Sequence, residues 1–552
     1  MEDAWTARCR TSICWSRTCW CTAPGSIRGR GWCTTTAASR PCPTFADVAE
    51  DAARLAGALA GLGIGMDGMD GMVATLCWNT PAHLAAYLGV PSMGAILHTL
   101  NLRLSDEQLV YIVNHAEDRV VIVDADLTPQ LARLLPRCPT VTDVIVVGEP
   151  EADLPGVAVH RWAQLLAGAE PVREWPRLDE RSAAALCYTT GTTGAPKGVA
   201  YSHRSIVRHS LTISTGSAYG FSDADWLMLV APMFHANSWG WPHAGWMSGA
   251  DLVMTDRYLQ AEHLASMIAE HGVTAAAAVP TLWTALDDYG VEHGTDYSSL
   301  RLAVVGGSPL CRGLVESFHA HHRVWLLQGW RMTEASPLVT YSRPPAGSAE
   351  GDEVTYRARQ GRLLPGVSAR VVDGKGGVLP WDGASAGEIE RRGATIAGGY
   401  FRATDEVAAE KVRGCWLRTG DLGVIHPEGW VELTDRLKDG IKSGGEWISS
   451  IELEGLLERH PAVAEVVVIG VPDPRWEGRP LVCVRLRDGF TAEPMELRDF
   501  LVGKVTRWAL PERWAFVSEL PRTSVGKLDK KLVRERHVAG VYTIHRLPPP
   551  AR

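Results

Sequence analysis

The sequence has no long apolar run and no excess of positive charge. No stretch approaches the roughly 20 apolar residues that a membrane-spanning helix needs. Acidic residues outnumber Lys and Arg, which leaves a net charge of −8. Such a charge gives no general attraction to nucleic acid or to an anionic membrane surface. The N-terminus also lacks the continuous apolar block of a secretory signal. We therefore expect a soluble, cytoplasmic protein with no nucleic-acid partner and no stable membrane insertion.

Cysteine is scarce beyond the N-terminal segment. Half of the 12 cysteines lie within the first 42 residues: Cys9, Cys14, Cys19, Cys21, Cys33 and Cys42. Cys19 and Cys21 are separated by one residue, which is not the CxxC spacing of zinc or redox sites. A disulfide framework would need an oxidising compartment, for which nothing in the sequence argues. Residues 1–43 also lack hydrophobic periodicity. A GC-rich gene read in a shifted frame yields a segment of this kind, rich in Cys, Trp and Arg, so we assign it no function.

Beyond Phe45 the sequence alternates between helical and strand patterns. Apolar residues recur at helical spacing over 45–64 and 81–95, and short apolar runs at 73–80 and 119–125 read as buried strands. Strand–helix alternation of this kind predicts an α/β fold with largely parallel sheets. A chain of 552 residues is too long for one core, so we expect at least two domains.

The pattern changes twice towards the C-terminus. Beyond residues 382–393 the strands are short and separated by glycine turns, which predicts antiparallel pairing. Near Asp435–Lys438 it changes again, because a helix followed by paired strands indicates a small α+β domain. We therefore divide the chain into an unassigned segment 1–43, a large domain 44–434, a hinge 435–438, a small C-terminal lid domain 439–540 and a tail 541–552.

A glycine-rich segment, TTGTTGAPKG at 189–198, follows an apolar strand. Glycine lets backbone N–H groups approach a ligand closely, and threonine hydroxyls add donors. Together with the charge of Lys197, these groups suit a polyphosphate held by a nest of N–H donors. The segment is not a Walker A loop, because Gly198 follows the lysine where Ser or Thr would be required. For a generic Gly/Thr run, a flexible polar loop is the alternative.

The order TTGTTGAPKG resembles the phosphate-binding signature of the adenylate-forming superfamily, which includes acyl-CoA synthetases, luciferases and nonribosomal-peptide adenylation domains. Four further motifs follow in family order: QGWRMTE (328–334), WLRTGDLG (416–423), DRLKDGIKSGGEWISSIELE (435–454) and PRTSVGKLDKK (521–531). The shorter stretches VNHAED, MFHANSWGWP and SGGEWIS are similar to fatty-acid CoA ligases. The resemblance spans about residues 45–536. It implies a large N-terminal domain of two parallel-type αβα subdomains with a small β-barrel-like subdomain, and a mobile C-terminal α+β domain.

The resemblance implies an ATP-dependent ligase that adenylates a fatty or small organic acid and passes the acyl group to CoA. Bringing a carboxylate to the α-phosphorus of ATP pushes two anions together, so positioned cations and N–H donors lower the barrier. Lys527 matches the catalytic lysine, Glu334 the residue that holds Mg²⁺, and Thr333 a phosphate contact. His235, in MFHANSWGWP, joins the catalytic set. The implied cofactors are ATP, Mg²⁺ and CoA.

Nucleotide and CoA contacts fall on a larger set of motif residues. Trp330 offers a flat face for adenine, Asp421 can accept both ribose hydroxyls, and Arg436 can reach ribose or phosphate. The small domain would turn about Lys438, which would withdraw Lys527 and bring glycines alongside the pantetheine arm. The full set is Thr189, Thr190, Gly191, Thr192, Thr193, Gly194, Lys197, Gly307, Ser308, Gln328, Gly329, Trp330, Asp421, Arg436, Lys438, Gly444 and Gly445.

The sequence departs from the family pattern at the acyl pocket. Arg331 occupies a position where the motif usually has glycine, while Trp241 and Trp246 stand where leucine is usual. With Trp239 and Gly306 as further pocket residues, these changes favour a small, polar or anionic acid. The alternative is that Arg331 turns outward to solvent.

Other functions stay open at this stage. An unusual small acid such as nitrous acid could be adenylated for attack by an arylamine, as in diazotase-like relatives. A catalytically decayed paralogue is a second alternative, because the N-terminal segment is atypical. A carrier-loading adenylation module is a third, although no carrier segment is attached. The acceptor is CoA or an amine, and a homodimer is compatible with the resemblance.

Overall fold

The computed structural model describes most of the chain beyond the first 42 residues. The described residues are 33–34, 43–65, 71–189, 195–404, 409–437, 439–443, 446–522 and 528–548. None of the helices in these ranges has both the length and the apolar character that crossing a bilayer demands.

The first sheet has seven strands, in the spatial order Ala158–Arg161, Asp143–Val147, Val120–Asp124, Met72–Leu76, Ile96–Thr99, Ala183–Thr189 and Lys197–Ser202. All neighbours are parallel except the last two strands, which run antiparallel and bracket the glycine-rich segment. The inner strands are buried along nearly their whole length because helices cover both faces. The accompanying helices are Phe45–Gly61, Pro81–Ser92, Asp106–Ala116, Thr128–Leu134, Trp162–Gly168 and His203–Ser214, with 3₁₀ turns at Ala125–Leu127 and Leu135–Arg137.

The second sheet begins with parallel strands, Cys33–Thr34, Asp251–Met254, Trp226–Leu229, Ala275–Ala278, Leu302–Val305 and Leu326–Arg331 in spatial order. It continues with antiparallel strands, Leu338–Tyr341, Gly361–Leu363, Trp430–Arg436, Trp416–Ile425, Gly387–Gly393, Val367–Val372 and Val378–Leu379, while Val412–Arg413 pairs with Trp416–Ile425. Its helices are Trp241–Ser248, Ala261–His271, Pro280–His293, Arg312–His322 and Glu350–Ala358, with 3₁₀ turns at Ala236–Gly240 and Thr333–Ala335.

The third sheet belongs to the C-terminal region. Its strands are Glu446–Ile448, Ile441–Ser443, Glu477–Leu486, Arg513–Phe516 and His545–Arg546 in spatial order, with Val463–Asp473 pairing along Glu477–Leu486. Helices Ser450–Leu457, Pro494–Leu501 and Lys530–Val538 and the 3₁₀ turn Arg507–Ala509 accompany it. The mixture of antiparallel and parallel pairs confirms an α+β unit at this end of the chain.

The change from parallel to antiparallel pairing positions the site. It occurs between Leu326–Arg331 and Leu338–Tyr341, which is earlier than the position near residue 382 that the sequence suggested. Trp330 and Thr340 are antiparallel partners only ten residues apart, and apolar patterns do not distinguish a parallel strand from an antiparallel strand that follows it so closely. Ligands in open α/β sheets bind beyond the carboxyl ends of parallel strands. Residues 306–308 follow one such end, and Arg331 ends the next strand.

Candidate active site

The two ends of the glycine-rich segment are held by strand pairing. Thr189 and Lys197 are direct antiparallel partners, and the Thr189 hydroxyl donates to the Lys197 carbonyl at 3.4 Å. Thr190, Gly191, Thr192, Thr193 and Gly194 lie outside the described residues. The ammonium of Lys197 lies 5.3 Å from the ring centroid of Tyr400. This contact brings the lysine to the same tyrosine that bonds the predicted magnesium ligand.

Glu334 lies buried in the short turn Thr333–Ala335, at 8% exposure. The Tyr400 hydroxyl donates to its Oε1 at 2.6 Å, and its backbone carbonyl accepts from the Ala397 N–H at 2.8 Å. Tyr201 anchors the same turn, because its hydroxyl donates to the Thr333 carbonyl at 2.7 Å. Burial, and then the neighbouring carboxylate, raise the pKa of Tyr400, so this residue stays a hydrogen-bond donor.

Asp421 joins the adenine and ribose motifs in one contact set. Its Oδ2 accepts from the Trp330 indole N–H at 3.0 Å, and its Oδ1 lies 2.7 Å from the Nε of Arg436. The carboxylate is buried at 2% exposure and raises the pKa of Arg436. Asp421 and Arg436 are also paired across neighbouring strands. Backbone pairing and the ion pair therefore fix the carboxylate and the Trp330 ring together.

Arg391 is a site residue that the sequence did not point to. Its guanidinium is fully buried and lies 4.9 Å from the centroid of the Trp330 ring. None of its three side-chain nitrogens has a hydrogen-bond partner among the residues the structure describes. Burial lowers the pKa of Arg391 to about 10, although the carboxylates of Asp421 and Glu334 oppose that change. A buried positive charge thus faces both acids of the nucleotide motifs.

The Arg331 side chain turns inward, against Trp239 and the strand end at Val305. Its Cζ lies 3.3 Å from the centroid of the Trp239 ring, and Nη2 donates to the Val305 carbonyl at 3.2 Å. A Cβ built at Gly306 would lie 2.3 Å from Nη2, so only glycine leaves room for the guanidinium. The solvent-facing alternative for Arg331 is therefore wrong.

Two N–H groups of Arg331 donate no hydrogen bond to any residue that the structure describes. Nε and Nη1 have no hydrogen-bond partner within the described parts of the chain. Burial lowers the pKa of Arg331 to about 10, and the nearby Tyr219 hydroxyl opposes this by favouring the charged form. The group remains a cation at neutral pH because its pKa still exceeds 7 by a wide margin.

Aromatic side chains close the rest of the pocket region. Trp241 is 2% exposed and packs against Phe221, with ring centroids 4.9 Å apart. Trp246 packs against Phe45 at 4.8 Å. The two tryptophans therefore belong to the packed core. His235 lies partly buried just before a run of left-handed backbone, Ala236, Asn237, Ser238, Trp239 and Gly240.

A hydrogen bond to Gln328 connects the segment after Val305 to the neighbouring strand. Its Oε1 accepts from the Leu310 N–H at 2.9 Å, and the side chain is 4% exposed. Gly307, with φ of +93°, makes the turn that leads to Ser308, and Gly329 lies beside Gln328 in the strand. The remaining predicted residues, Lys438, Gly444, Gly445 and Lys527, lie outside the described residues.

Comparison with known proteins assigns the class. Residues 35–401 match the AMP-binding enzyme family, and residues 452–527 match the AMP-binding enzyme C-terminal domain. The chain belongs to the AMP-binding enzyme family, which confirms the resemblance to adenylate-forming enzymes.

The similar proteins refine this class. The 3-methylmercaptopropionyl-CoA ligase of Ruegeria pomeroyi is 40% identical over 499 residues, which is 89% of this chain and 91% of that protein. The long-chain-fatty-acid–CoA ligase of Thermus thermophilus is 41% identical over 498 residues, or 90% of each chain. The crystal structure of the anthranilate CoA ligase AuaEII shares the fold, with a TM-score of 0.84 over 96% of this chain and 98% of that one at 24% identity. The chain is an ATP-dependent, adenylate-forming ligase of the acid–CoA type, which uses ATP, Mg²⁺ and CoA.

Proposed function

We propose that this ligase activates a small carboxylic acid that carries a second polar or anionic group, and that it transfers the acyl group to CoA. The observation that carries the proposal is the Arg331 guanidinium, wedged between Trp239 and Gly306 with Nε and Nη1 unpartnered among the described residues. The Tyr219 hydroxyl lies near the guanidinium, and an acceptor on the substrate would complete its hydrogen bonding.

The physical argument has a steric part and an electrostatic part. The guanidinium occupies the space next to Gly306, where it would obstruct a long acyl chain. An apolar chain packed here would also keep the charge from water without giving it a partner, which is strongly unfavourable. A carboxylate or hydroxyl at the far end of a short acid would instead bond the free donors, and a carboxylate can do so in bidentate fashion.

The nucleotide end fits the proposed roles of the motif residues. Each carboxylate oxygen of Asp421 can accept more than one hydrogen bond, so ribose hydroxyls can donate alongside Trp330 and Arg436. We propose Trp330, whose ring centroid lies 4.9 Å from the Arg391 guanidinium, as a contact of adenine. Lys197, Arg391 and Arg436 together give the site the positive charge that a triphosphate requires.

The residues present also fit a magnesium ion. Glu334 offers a buried carboxylate, and one such oxygen ligand together with phosphate oxygens is the donor set that Mg²⁺ favours. When bound, the ion supplies charge neutralisation at the phosphates. Tyr400 fixes the carboxylate through its hydrogen bond to Oε1, so the acid is oriented before any ligand arrives. Thr333, next in the chain, is the proposed phosphate contact.

We propose CoA rather than an amine as the acceptor of the acyl group, since both relatives described above are CoA ligases by name. Lys438 would serve as the pivot, with Gly444 and Gly445 beside the pantetheine arm. We further propose a cytoplasmic setting, where ATP and CoA are supplied, and a homodimer as the state to be checked by light scattering.

The proposed substrate class is tested by pyrophosphate release across a panel of acids. The panel contains acetate, butyrate, octanoate, palmitate, malonate, succinate and nitrite, each with and without CoA. We expect a short dicarboxylate to exceed the monocarboxylate of equal length in kcat/KM. Preference for palmitate would contradict the proposal, and nitrite-dependent release would favour nitrous acid instead.

Two substitutions of Arg331 separate charge from bulk. Arg331→Met keeps much of the volume next to Trp239 but removes the charge, so it should lower kcat/KM for the dicarboxylate by about 10–100-fold, the loss of one charged hydrogen-bonded contact. It should not admit longer chains. Arg331→Gly removes both charge and bulk, so it should also admit octanoate. Unchanged acid profiles in both variants would overturn the role of Arg331.

A further inference from the structure

A second cluster of ligating side chains lies on helices outside the nucleotide site. Asp287 is on the helix Pro280–His293, and His321 and His322 end the helix Arg312–His322. Oδ1 of Asp287 is 2.8 Å from Nδ1 of His321 and 2.9 Å from Nε2 of His322. The three potential ligand atoms all lie within 4.8 Å of one another. Two imidazoles and a carboxylate thus converge from two helices.

We propose that Asp287, His321 and His322 bind a divalent transition cation of the zinc class. Zinc held by nitrogen and oxygen at about 2.0–2.2 Å in a tetrahedron places its ligand atoms about 3.4 Å apart. To reach that spacing, the observed separations of 2.8 and 2.9 Å need to open by about half an ångström. Imidazole ligands favour zinc, copper or nickel over Mg²⁺. The site therefore differs in chemistry from the carboxylate of Glu334.

The surroundings hold two of the three ligands in place. The Ser317 hydroxyl donates to Oδ2 of Asp287 at 2.8 Å, which leaves Oδ1 directed at the histidines. The His322 ring packs against Tyr297 and Phe318, each with centroids 4.8 Å away. A Cβ at Gly290 would lie 2.7 Å from Cε1 of His322, so this glycine makes the space for the ring. Such outer contacts orient ligands and strengthen metal binding.

One side of the cluster is open to solvent. The His321 side chain is 45% exposed, whereas Asp287 and His322 are 8% and 5% exposed. Three protein ligands leave a position for water, and the exposed ring gives the ion a way in. Without metal, one nitrogen of each imidazole lies within hydrogen-bond distance of Asp287 Oδ1. On binding, each presents a nitrogen lone pair, and the displaced proton goes to solvent or to the other nitrogen of its ring.

The test is a Co²⁺ titration of the full chain without nucleotide, after alkylation of its thiols. We expect one equivalent with the visible absorption of four-coordinate cobalt, displaced by Zn²⁺. His321→Gln, at an exposed position that leaves the fold intact, should weaken Co²⁺ binding by more than about tenfold. Loss of a residue that only supports a ligand already costs about tenfold in metal affinity, so loss of a ligand should cost more. His293→Gln, on the helix that carries Asp287, is the matched control and should bind like the unchanged protein.

A second measurement covers the buried ligand. Zn²⁺ should raise the thermal unfolding midpoint of the unchanged protein and of His293→Gln, because the ion binds only the folded state. Asp287→Asn, which preserves shape, should lose that shift even if its own midpoint falls. Equal Co²⁺ affinity in His321→Gln and the unchanged protein, or a Zn²⁺ shift that survives Asp287→Asn, would overturn the site.

Discussion

Arg391 is a fully buried cation and Arg331 a partly buried one, and each lies over a tryptophan, Trp330 and Trp239 respectively. The sequence could identify Arg331, because it interrupts a recognisable motif at a glycine position. It could not identify Arg391, which is followed by Arg392 in the strand Gly387–Gly393. Successive strand residues point to opposite faces, so one of the two is buried and the other exposed. Which one is buried depends on pairing register with distant strands.

Two buried histidines, His209 and His243, predict sensitivity to acid. Burial lowers the pKa of His209 to about 3, and the nearby His243 and Arg331 lower it further. Burial also lowers the pKa of His243 to about 3, although its backbone hydrogen bond to Tyr87 opposes that change. His209 is neutral in the fold because its Nε2 accepts the Leu338 N–H at 3.2 Å. The unfolded chain binds protons near the ordinary pKa of 6.5. Stability is therefore present above pH 6.5 and is lost as the pH falls towards 3.

The measurement is urea unfolding at several pH values from neutral to mildly acidic. His209→Gln should reduce the pH dependence of the free energy of unfolding by about 1.4 kcal/mol per pH unit within that window. His263→Gln, at a side chain 43% exposed, is the control and should keep the full slope. If the free energy of unfolding depended on pH equally in the unchanged protein and in His209→Gln, the role of His209 in acid sensitivity would be contradicted.

The left-handed run from Ala236 to Gly240 is the most unusual element of the pocket wall. Non-glycine residues with φ between 44° and 58° are strained, and here four follow one another. Tertiary hydrogen bonds hold them: the Ser238 hydroxyl donates to the Ala231 carbonyl at 2.6 Å, and Asn237 Oδ1 accepts from the Cys187 thiol at 2.9 Å. The sequence predicted that Trp239 and Trp241 of the motif MFHANSWGWP line the acyl pocket, which stays a prediction. The handedness of the run could not be predicted because partners remote in sequence impose it.

Substitution of Ser238 tests the strain in this element. Ser238→Ala and Ser238→Gly both lose the bond to Ala231, but only glycine adopts positive φ without penalty. We expect Ser238→Ala to be the less stable by about 1 kcal/mol in urea unfolding.

Ser266 provides a control at which the order of stability of the glycine and alanine variants should be reversed. It lies within the right-handed helix Ala261–His271, where Ser266→Gly should be less stable than Ser266→Ala by about 1 kcal/mol. The same order of stability at both positions would refute the strain argument.

At the scale of the whole molecule, the motifs predicted the family, the α/β class and the small C-terminal unit. Those features depend on local pattern and on motif order, which a single sequence displays. The contact between Trp330 and Asp421 spans 91 residues and needs the strand order of a sheet that the pattern does not reveal. Tyr400 is similarly recognisable as a site residue only once it is seen between Lys197 and Glu334.

Catalysis by the two domains together is tested at Lys527, which lies outside the described residues. Lys527→Ala should lower acid-dependent pyrophosphate release by roughly 10²–10³-fold, since it removes a positioned charge from the reacting groups. Lys531→Ala, four positions later and 56% exposed, is the matched control and should retain activity. Both variants should unfold at the temperature of the unchanged protein. Undiminished release in Lys527→Ala would remove the lysine from the mechanism.

The ion pair between Asp421 and Arg436 reaches beyond the nucleotide motifs. The next residue before Arg436, Asp435, accepts the Ser450 N–H at 2.7 Å, and Lys530 donates to the hydroxyl of that serine at 2.6 Å. A single strand end therefore contacts the proposed ribose acid through Arg436 and a helix of the C-terminal unit through Asp435, and Ser450 links that helix to Lys530. Thermodynamic reciprocity follows. If nucleotide binding favours one orientation of that unit, a crosslink that holds the unit in the same orientation must raise the affinity for the nucleotide by the same factor.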